Sequence, residues 1–417
     1  MGGFWVRRLQ TSRRGNIATL TALMMPVLIG AAGLASDTIQ WTLTKRMMQR
    51  AADSGAIAGA YQLSQTTGFG SEAVRTAAMG DITRNGGFSM SITPVINSPA
   101  TSGSFRDASA AVEVILATDM NLPFTGLIMR GPMRISARAV AEIVGNGDYC
   151  VLALENTNTP GIPIGGNAQV NLGCGMMSNA PSTTSIIANG SSFVTASPVA
   201  AVGNVPPGNY ATGTVRQEYA LPLRDPYRNV PDPNITVNGS VSNVGSNQTR
   251  TLNPGTYSSM DIQGNATLNP GTYFITSDIR IGSQARVTGN GVTFVFTARN
   301  AASNTGSIAT VNINGGAQLN LTAATSGTYA GILMYQDRRA SNMATNIING
   351  NSNSVLQGAL YFPRQELQMN GTSGMNTRCI QIVARRIDWR GNNNIQNICP
   401  ANSGASSFSG TQIKLVA

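Results

Sequence analysis

An uncharged apolar run near the N-terminus constrains this chain more than any other feature. The run covers residues 17–34 (IATLTALMMPVLIGAAGL). Four arginines precede it: Arg7, Arg8, Arg13 and Arg14. As a helix rising ~1.5 Å per residue it reaches roughly 27 Å, close to the ~30 Å hydrocarbon core of a bilayer. Positive residues tend to stay in the cytoplasm. We therefore predict a basic cytoplasmic segment at 1–16, a transmembrane helix at 17–35 and an extracytoplasmic body beyond it.

A cleaved signal peptide is the alternative interpretation of the same run. Residues 33–35 (GLA) before Ser36 have the small side chains of a cleavage site. However, the run is longer than the ~7–15 apolar residues usual in a signal peptide. It also contains Pro26, which membrane helices accept more readily than soluble helices do. We therefore expect the helix to remain uncut.

The composition narrows the class of protein. Only 11% of the 417 residues are charged, and 46 are glycine, which favours many short strands and tight turns over a helical fold. The net charge of +10 can indicate a nucleic acid or an anionic surface as partner. Four of the arginines are explained by membrane topology, and the others are scattered, without a basic helix or aromatic-interleaved stripe. We predict no nucleic-acid partner.

The absence of histidine excludes several kinds of site. Neither a Ser-His-Asp triad, a Cys-His pair nor a histidine-based zinc site can form. The four cysteines are too far apart for CxxC metal pairs, and an even number outside the cytoplasm favours disulfides. Three pairings are open. The local one, Cys150 with Cys174 and Cys379 with Cys399, closes two modest loops, each stabilised by about 3 kcal/mol in the chain-entropy model. Four buried free thiols are the alternative.

The helical pattern continues beyond the apolar run. Ile39 and Leu43 begin a four-residue repeat of apolar positions, and small residues then dominate to about residue 61. The packing positions that we single out are Ala51, Ala52, Gly55 and Gly59. The two glycines form a small-xxx-small pair, which lets another backbone approach closely. This face either docks against a neighbouring subunit or packs onto the chain's own sheet.

A small α+β module is predicted for residues 36–148. A second helix is expected at 71–84, followed by strands at 90–96, 111–117 and 134–144. The last strand alternates apolar and polar residues. Its apolar face consists of Ile135, Ala137, Ala139 and Ala141.

Residues 149–417 have a different character, rich in Gly, Asn, Ser and Thr. The hexapeptide LNPGTY at 252–257 recurs at 268–273, an offset of 16 residues. Asn-Gly pairs such as Asn290-Gly291 interrupt short alternating strands and suit the corners of a coil, because both residues tolerate positive φ. Together these features predict a parallel β-solenoid ectodomain. A β-sandwich of hairpins, with Asn-Gly as two-residue turns, is the alternative.

Candidate catalytic groups in this second half are few. The acidic residues considered are Asp225, Asp232, Asp261, Asp278, Asp337, Glu366 and Asp388. Some parallel β-solenoids are polysaccharide lyases that cluster carboxylates for acid–base work or for calcium. Here no pair has a motif spacing, and the arginines next to Asp337 and near Asp388 favour surface ion pairs. We predict no catalytic, cofactor-binding or metal site, and hence that the chain is not an enzyme.

Aromatic, asparagine and proline-rich stretches complete the second half. Trp389, Tyr361 and Phe362 are more typical of a core than of sugar stacking. Asparagines at 392–394 fit either stacked ladders or polar turns. The Pro-rich stretch at 225–233 is expected to form a loop or lid inserted between coils.

The N-terminal helix resembles that of a known family. Residues 14–17 (RGNI), the apolar run and residues 49–60 (QRAADSGAIAGA) resemble the N-terminal module of TadG-like proteins of the Flp (tight-adherence) pilus assembly system. Segments 148–154 (DYCVLAL) and 331–339 (GILMYQDRR) are similar to the region C-terminal to that module in some members. One long helix that runs from the membrane into the body is a pilin-like architecture. The resemblance implies a single-pass inner-membrane protein with a periplasmic body. It also implies that the partners are the membrane and other pilus-assembly proteins.

Two departures from the family pattern refine this expectation. Many TadG-like proteins carry a von Willebrand A domain, whose metal site needs Asp-x-Ser-x-Ser, but the nearest match at 107–111 (DASAA) lacks the second serine. Pilins of this system usually keep a glutamate early in the apolar stretch, and none lies between Gly15 and Ser36. We expect an assembly component without that metal site, which anchors or assembles the pilus through contacts of helix 37–61. A polysaccharide-acting enzyme and a surface adhesin are the rivals, with glycan contact by the solenoid as a further expectation.

Overall fold

The computed structural model shows a long N-terminal helix followed by a body that is mostly β. It describes residues 13–65, 72–87, 90–129, 131–304, 308–340, 344–349, 351, 354–371, 375–392, 394–397 and 408–417. The chain divides into two compact units. The first unit comprises 1–144 together with 413–417, and the second comprises 145–412. The coarse expectation of an apolar helix before a β-rich body is confirmed.

The α-helices of the described residues all belong to the first unit. They are α1 (Arg13–Gln65), α2 (Glu72–Asn85) and α3 (Pro123–Met129). Helix α1 extends four residues beyond the predicted end at 61. In α2 an acidic residue in the first turn and a basic residue in the last, Glu72 and Arg84, complement the helix dipole. A short 3₁₀ turn covers Gly103–Phe105.

A three-stranded antiparallel sheet completes the first unit. Its strands are β1 (Val95–Asn97), β2 (Ala111–Met120) and the first part of β3 (Met133–Ala153). Strand β2 lies between the other two, with Ala111 opposite Glu142 of β3. The predicted strand at 90–96 is shorter and begins at Val95. The last residues of the chain return to this unit, where the backbone N–H of Val416 donates to the carbonyl of Val140 over 2.9 Å.

The core of the first unit lies between its helices and the sheet. The predicted inner face of β3 is fully enclosed and consists of Ile135, Ala137, Ala139 and Ala141. These residues pack in one cluster with Met48 and Ala52 of α1 and with Val74 and Ile82 of α2. The period-2 alternation of β3 places every second side chain against the helices, which is why this face is apolar.

The second unit contains the end of β3 and the remaining, mostly short strands, of which the last one continues into residues 413–417 of the first unit. These are β4 (Ile162–Ile164), β5 (Gln169–Asn171), β6 (Gly175–Ser178), β7 (Ile186–Ala188), β8 (Phe193–Thr195), β9 (Val199–Ala201), β10 (Arg216–Gln217), β11 (Ser240–Val244), β12 (Thr249–Leu252), β13 (Gly255–Ile262), β14 (Asn265–Leu268), β15 (Gly271–Ile281), β16 (Arg286–Gly289), β17 (Val292–Phe296), β18 (Thr310–Ile313), β19 (Gln318–Thr322), β20 (Ile332–Gln336), β21 (Thr345–Ile348), β22 (Val355–Gly371), β23 (Met375–Gly391), β24 (Asn394–Asn397) and β25 (Phe408–Leu415).

Parallel pairings arrange these strands in three ladders. The first contains β12, β14, β16, β19, the start of β22, the start of β23, β24, β5 and β8. The second contains β13, β15, β17, β20, the middle of β22 and of β23, β3, β6, β9 and β10. The third contains β11, β13, β15, β18, β21, the ends of β22 and β23, β4 and β7.

Some strands are long enough to take part in two ladders. Strand β15 pairs through residues 271–275 with β17 and through 278–281 with β18. Strand β22 likewise pairs with both β20 and β21, so that β15, β17, β20, β22, β21 and β18 form a closed ring of parallel pairings. Hairpins pair antiparallel, so the parallel pairings described for 145–397 disfavour the β-sandwich alternative.

The order of strands along the ladders differs from their order in the chain. Strand β23 pairs with β3, with Ile382 opposite Val151, so that the first strands of the unit follow its last long ones. The chain therefore has to return from β10 at one end to β11 at the other. Residues 218–239, which we call the strap, make this return without a helix or strand. From β10 along the second ladder to β13, and then to its neighbour β11, the pairings take about ten steps of ~4.8 Å, roughly 48 Å, well within the reach of about 22 extended residues.

The sequence repeat and one disulfide fit this pairing. Leu252 and Leu268 of the two LNPGTY copies lie opposite each other, and the side chain of Asn269 donates to that of Asn253 over 2.7 Å. Cys150 and Cys174 form a disulfide with their Cα atoms 5.9 Å apart, which is the local one of the three pairings that the sequence left open. The side chain of Cys379, and Cys399 altogether, lie outside the described residues, so their pairing stays a prediction.

Candidate functional site

The apolar segment of α1 is the first candidate surface. Within the described part of the chain, α1 is the one helix long and apolar enough to cross a membrane. Its large apolar side chains are exposed, namely Ile17, Leu20, Leu23, Met24, Met25, Val27, Leu28, Ile29 and Leu34. Arg7 and Arg8 lie outside the described residues, as do the side chains of Arg13 and Arg14. Their proposed role in topology stays a prediction.

Polar groups within this segment are satisfied by the helix itself. The hydroxyl of Thr21 donates to the carbonyl of Ile17 over 2.8 Å, and that of Thr38 donates to Leu34 over the same distance. Such back-bonding removes the cost of placing a free hydroxyl in hydrocarbon. Pro26 lies inside the helix without ending it. The Thr21 hydroxyl within the segment therefore does not oppose a lipid surrounding.

The Ala/Gly face of α1 is covered by the chain itself. Ala51 and Ala52 are fully buried. A Cβ atom added at Gly55 would lie 2.6 Å from Cγ1 of Ile82, and one at Gly59 would lie 2.9 Å from Cγ1 of Val112. The small residues thus admit α2 and β2 rather than a neighbouring subunit. Of the two alternatives for this face, the structure favours packing onto the chain's own elements.

A second contact holds α3 beside the end of the apolar segment. The buried carboxylate of Asp37 accepts hydrogen bonds from the backbone N–H groups of Phe124, over 2.9 Å, and Thr125, over 2.5 Å. A Cβ atom at Gly33 would overlap the ring of Phe124. This contact was not predicted from the sequence. The one signal for it was the position of Asp37, an acidic residue that follows closely after the apolar run.

A buried carboxylate organises the far face of the sheet. Glu113 is fully buried and accepts from Arg138 Nε over 2.8 Å, from Asn97 Nδ2 over 2.8 Å and from the Thr101 N–H over 3.0 Å. Burial alone would raise the pKa of Glu113, but hydrogen bonds from Ser102, Asn97 and Thr101 outweigh it and lower that pKa to about 2. The carboxylate therefore remains ionised, with its acceptor capacity used by neighbouring loops.

In the second unit, the strap covers a row of buried apolar side chains on the second ladder. Leu152, Tyr335, Tyr361 and Val383 occupy this row, and Tyr227 of the strap packs against it. The rings of Tyr227 and Tyr361 meet edge to face with centroids 5.3 Å apart. The stretch at 225–233 thus forms a loop along the outside of the ladder, within the connection from β10 to β11. Its insertion between coils of a solenoid stays a prediction, because the solenoid itself is a prediction.

Two consecutive arginines fasten the strap. Arg338 donates to the backbone carbonyls of Tyr227, Arg228 and Val230 and pairs with Asp232, with Nη2 and Oδ1 3.1 Å apart. Arg339 donates to the carbonyl of Pro233 and pairs with Asp337 over 2.6 Å. These residues belong to the segment 331–339 noted in the sequence. Their role in holding the strap was not predicted, because their acceptors are backbone carbonyls about 110 residues away.

The candidate acidic residues are engaged in separate contacts. Asp337 is fully buried and accepts from Thr297 over 2.7 Å, and Asp388 is 1% exposed and pairs with Arg390. The expectation of surface ion pairs is therefore wrong for these two carboxylates. Each remaining candidate has its own partner: Asp225 with Tyr361, Asp232 with Arg338, Asp261 with Gln263, Asp278 with Thr310 and Glu366 with Arg386. In the part of the chain that the structure describes, no group of three or more Asp, Glu or Cys is placed to hold a metal ion.

The candidate sugar-stacking residues lie inside the second unit. Trp389, Tyr361 and Phe362 are fully buried, which is the core placement that the sequence favoured. The Asn392 side chain accepts from Asn167 over 2.8 Å, next to the paired strands β24 and β5, whereas residue 393 lies outside the described ranges. A polar groove of about 570 Å³ lies on the second unit. It is lined mainly by threonine and asparagine, namely Thr267, Asn269, Thr288, Asn290, Asn320 and Thr322. Glycan contact stays a prediction.

Comparison with known proteins yields one family. Residues 15–62 match the family model described as "Putative Flp pilus-assembly TadE/G-like". The matched range covers the apolar segment of α1 and its Ala/Gly face, and it confirms the resemblance seen in the sequence. No curated protein matches the chain. No solved structure matches it either.

Proposed function

We propose that this chain is a bitopic inner-membrane protein that anchors or assembles the Flp pilus through protein contacts. The match of residues 15–62 to the TadE/G-like pilus-assembly model carries this proposal. The matched range coincides with one continuous helix that is apolar and exposed at its start and packed into a folded module at its end. A helix of this kind couples a membrane to a folded module.

The proposed topology places the N-terminus in the cytoplasm and the body in the periplasm. The arginines before the apolar segment support this orientation. The disulfide between Cys150 and Cys174 supports an oxidising compartment for the second unit. Both lines of support are independent of the family match.

The body is proposed to be a pilin-like module followed by a parallel β-solenoid. Packing of α1 on an antiparallel sheet supports the first part. The second part is supported by three parallel ladders that the chain visits in the same order on successive turns. In this proposal β17 and β18 belong to one turn, and β20 and β21 belong to the next. Strands β15 and β22 each continue around a corner and pair with both strands of the adjacent turn, which closes the ring of six strands.

We propose a structural rather than an enzymatic role. Each candidate acidic residue contacts its own arginine, hydroxyl or amide partner. These carboxylates are therefore dispersed rather than clustered at one surface. A polysaccharide-acting enzyme would need at least two carboxylates converging on one solvent-facing point. A surface adhesin remains the rival among non-enzymatic roles, and the location of the protein distinguishes it.

A deletion and complementation experiment tests the proposal. The gene is deleted, surface pili are scored by electron microscopy, and a tagged copy is followed through cell fractionation. We expect loss of piliation, with the tagged protein in the inner-membrane fraction and a C-terminal periplasmic reporter active. Normal piliation with the protein released from membranes contradicts the assembly role.

A matched pair of variants separates the anchor from the body. Leu23→Arg places a charge at an exposed position in the apolar segment, at a cost of about 2.5–3.5 kcal/mol for membrane insertion. Leu23→Ile preserves the apolar surface. We expect only the arginine variant to lose membrane association and piliation. Equal piliation by both variants contradicts the need for the membrane helix.

A further inference from the structure

Helix α3 lies at the same level along α1 as the end of the apolar segment. The ring of Phe124 packs over Gly33, which belongs to that segment. Asp37, one turn further along α1, accepts the first free N–H groups of α3. Part of the folded module is therefore held beside residues that the bilayer would surround.

The composition of α3 suits a lipid surrounding. Its sequence, PFTGLIM, contains no charged residue, and Met129 at its end is 67% exposed. The acidic residue nearest before it, Asp119, is neutralised by Arg134, with Nε and Oδ1 3.0 Å apart. Trp41 of α1, one turn beyond Asp37, is partly exposed. Tryptophan is one of the two residue types that are enriched at membrane–water interfaces. The negative charge of Asp37, which contacts α3, is buried.

We propose that α3 lies in the headgroup region of the outer leaflet of the inner membrane and contacts lipid. This inference rests on the proposed function only in requiring that α1 spans the bilayer. Lipid is the occupant that the observations favour, because the Phe124 ring of α3 packs on Gly33 of the apolar segment and Met129 exposes an apolar side chain. Asp37, which contacts α3, is buried, and Asp119, the acidic residue before α3 in the chain, is paired with Arg134, so neither would repel anionic headgroups. The α3 contact adds a second point of attachment beside α1. The folded module is thereby held at a fixed height above the bilayer.

Depth measurements on the intact protein test this inference. The full chain is reconstituted in phosphatidylethanolamine–phosphatidylglycerol nanodiscs. Because the chain contains four cysteines, a nitroxide is attached instead to p-acetylphenylalanine introduced at a single position. The three positions are Met129 in α3, Leu23 in the apolar segment and Glu72 at the start of α2, all exposed. Collisions with oxygen report lipid, and collisions with a water-soluble nickel chelate report solvent.

The expected pattern places Met129 between the two references. We expect chelate accessibility at 129 to be at least about threefold lower than at 72, with oxygen accessibility raised, as for an interfacial helix. Chelate accessibility at 129 equal to that at 72, with position 23 in lipid, overturns the inference and leaves the membrane anchor standing. Solvent exposure at both 23 and 129 overturns the inference together with the proposed membrane anchor.

A variant pair tests the contact that holds α3. Asp37→Ala removes the carboxylate that accepts from α3, whereas Asp37→Asn keeps one acceptor oxygen. In the labelled protein we expect Asp37→Ala to raise chelate accessibility at 129 about twofold or more, and Asp37→Asn to change it little. Position 23 should be unaffected by either substitution, which serves as the folding and insertion control. Unchanged accessibility at 129 in Asp37→Ala overturns the role of this contact.

Discussion

The phenolic oxygen of Tyr361 lies 2.6 Å from Oδ2 of Asp225 and joins the second ladder to the strap that covers it. Burial raises the pKa of Tyr361, and the neighbouring negative charge of Asp225 raises it further. The phenol therefore remains protonated and donates to the carboxylate throughout the physiological pH range. The strap connects β10 to β11, and the order of the strands along the ladders requires this connection. The hydrogen bond between Tyr361 and Asp225 therefore helps to hold that connection in place.

Removal of this hydroxyl should loosen the strap. Tyr361→Phe keeps the buried ring but leaves Asp225 without its phenolic donor, which we expect to cost about 1–3 kcal/mol. Limited proteolysis should then cut within residues 218–239 several times faster than in the parent protein. Tyr257→Phe is the control, because that hydroxyl donates to the carbonyl of Asn253 at an exposed site outside the strap. Equal cleavage rates in both variants would show that the Asp225 contact does not hold the strap.

A larger side chain at Gly55 should destabilise the first unit. Its Cβ position lies 2.6 Å from Ile82, so Gly55→Val forces α1 and α2 apart at an expected cost of about 1–3 kcal/mol. Gly80→Ala in α2 is the matched control, because its nearest neighbour is the tip of Arg84 at 3.7 Å and alanine favours a helix by about 1 kcal/mol. Hydrogen exchange of α1 and α2 should be faster in the first variant and slower or unchanged in the second. Protection that survives Gly55→Val would contradict close packing at this position.

The first unit should lose stability in acid because of Glu113. Its pKa in the folded protein is about 2, below the value of about 4.3 in an unfolded chain. A depressed pKa stabilises the folded state above the unfolded value, and that contribution disappears as pH falls from about 4.3 to about 2.

Glu113→Gln provides the measurement for this pH dependence. The variant should be about 1–3 kcal/mol less stable than the parent near neutral pH, since Arg138 loses a charged partner, and should lose less stability on acidification. Urea denaturation of the detergent-solubilised protein between pH 7 and pH 2–3 tests both effects. Glu142→Gln on β3 is the control. A parallel acid response in parent and Glu113→Gln would rule out Glu113 as the titrating group.

The disulfide should stabilise the start of the second unit. Cys150 and Cys174 are separated by 24 positions, so the chain-entropy model gives a contribution of about 3 kcal/mol. A Cys150→Ser, Cys174→Ser double variant should lower the thermal midpoint and increase hydrogen exchange in β3 and β6. Addition of a reducing agent should lower the midpoint of the parent towards that of the variant. A parent protein that responds to neither treatment would contradict a stabilising role for this bond.

Local features of the chain were predictable from residue order. The apolar segment, the α1 continuation and the inner face of β3 follow from hydrophobic periodicity, which the backbone geometry of a helix or strand imposes on neighbouring residues. An even number of cysteines predicted disulfides but left three pairings open, and the structure decided for the bond between Cys150 and Cys174. The family of the N-terminal segment was likewise readable, because its motif lies within residues 15–62.

Other features depended on which distant segments meet. Parallel ladders are joined by backbone hydrogen bonds that any residue can make, so the pairing of Ile382 with Val151 leaves no signature in the sequence. Burial of Asp337 and Asp388 likewise depends on turns contributed by other parts of the chain, and a carboxylate beside an arginine has the same sequence whether exposed or enclosed. The contact of Asp37 with Phe124 and Thr125 joins positions about 87 residues apart. Residue order thus determined the local elements and the apolar segment of α1, whereas the tertiary structure alone decided the order of the strands along the ladders, the path of the strap and the partners of the buried charges.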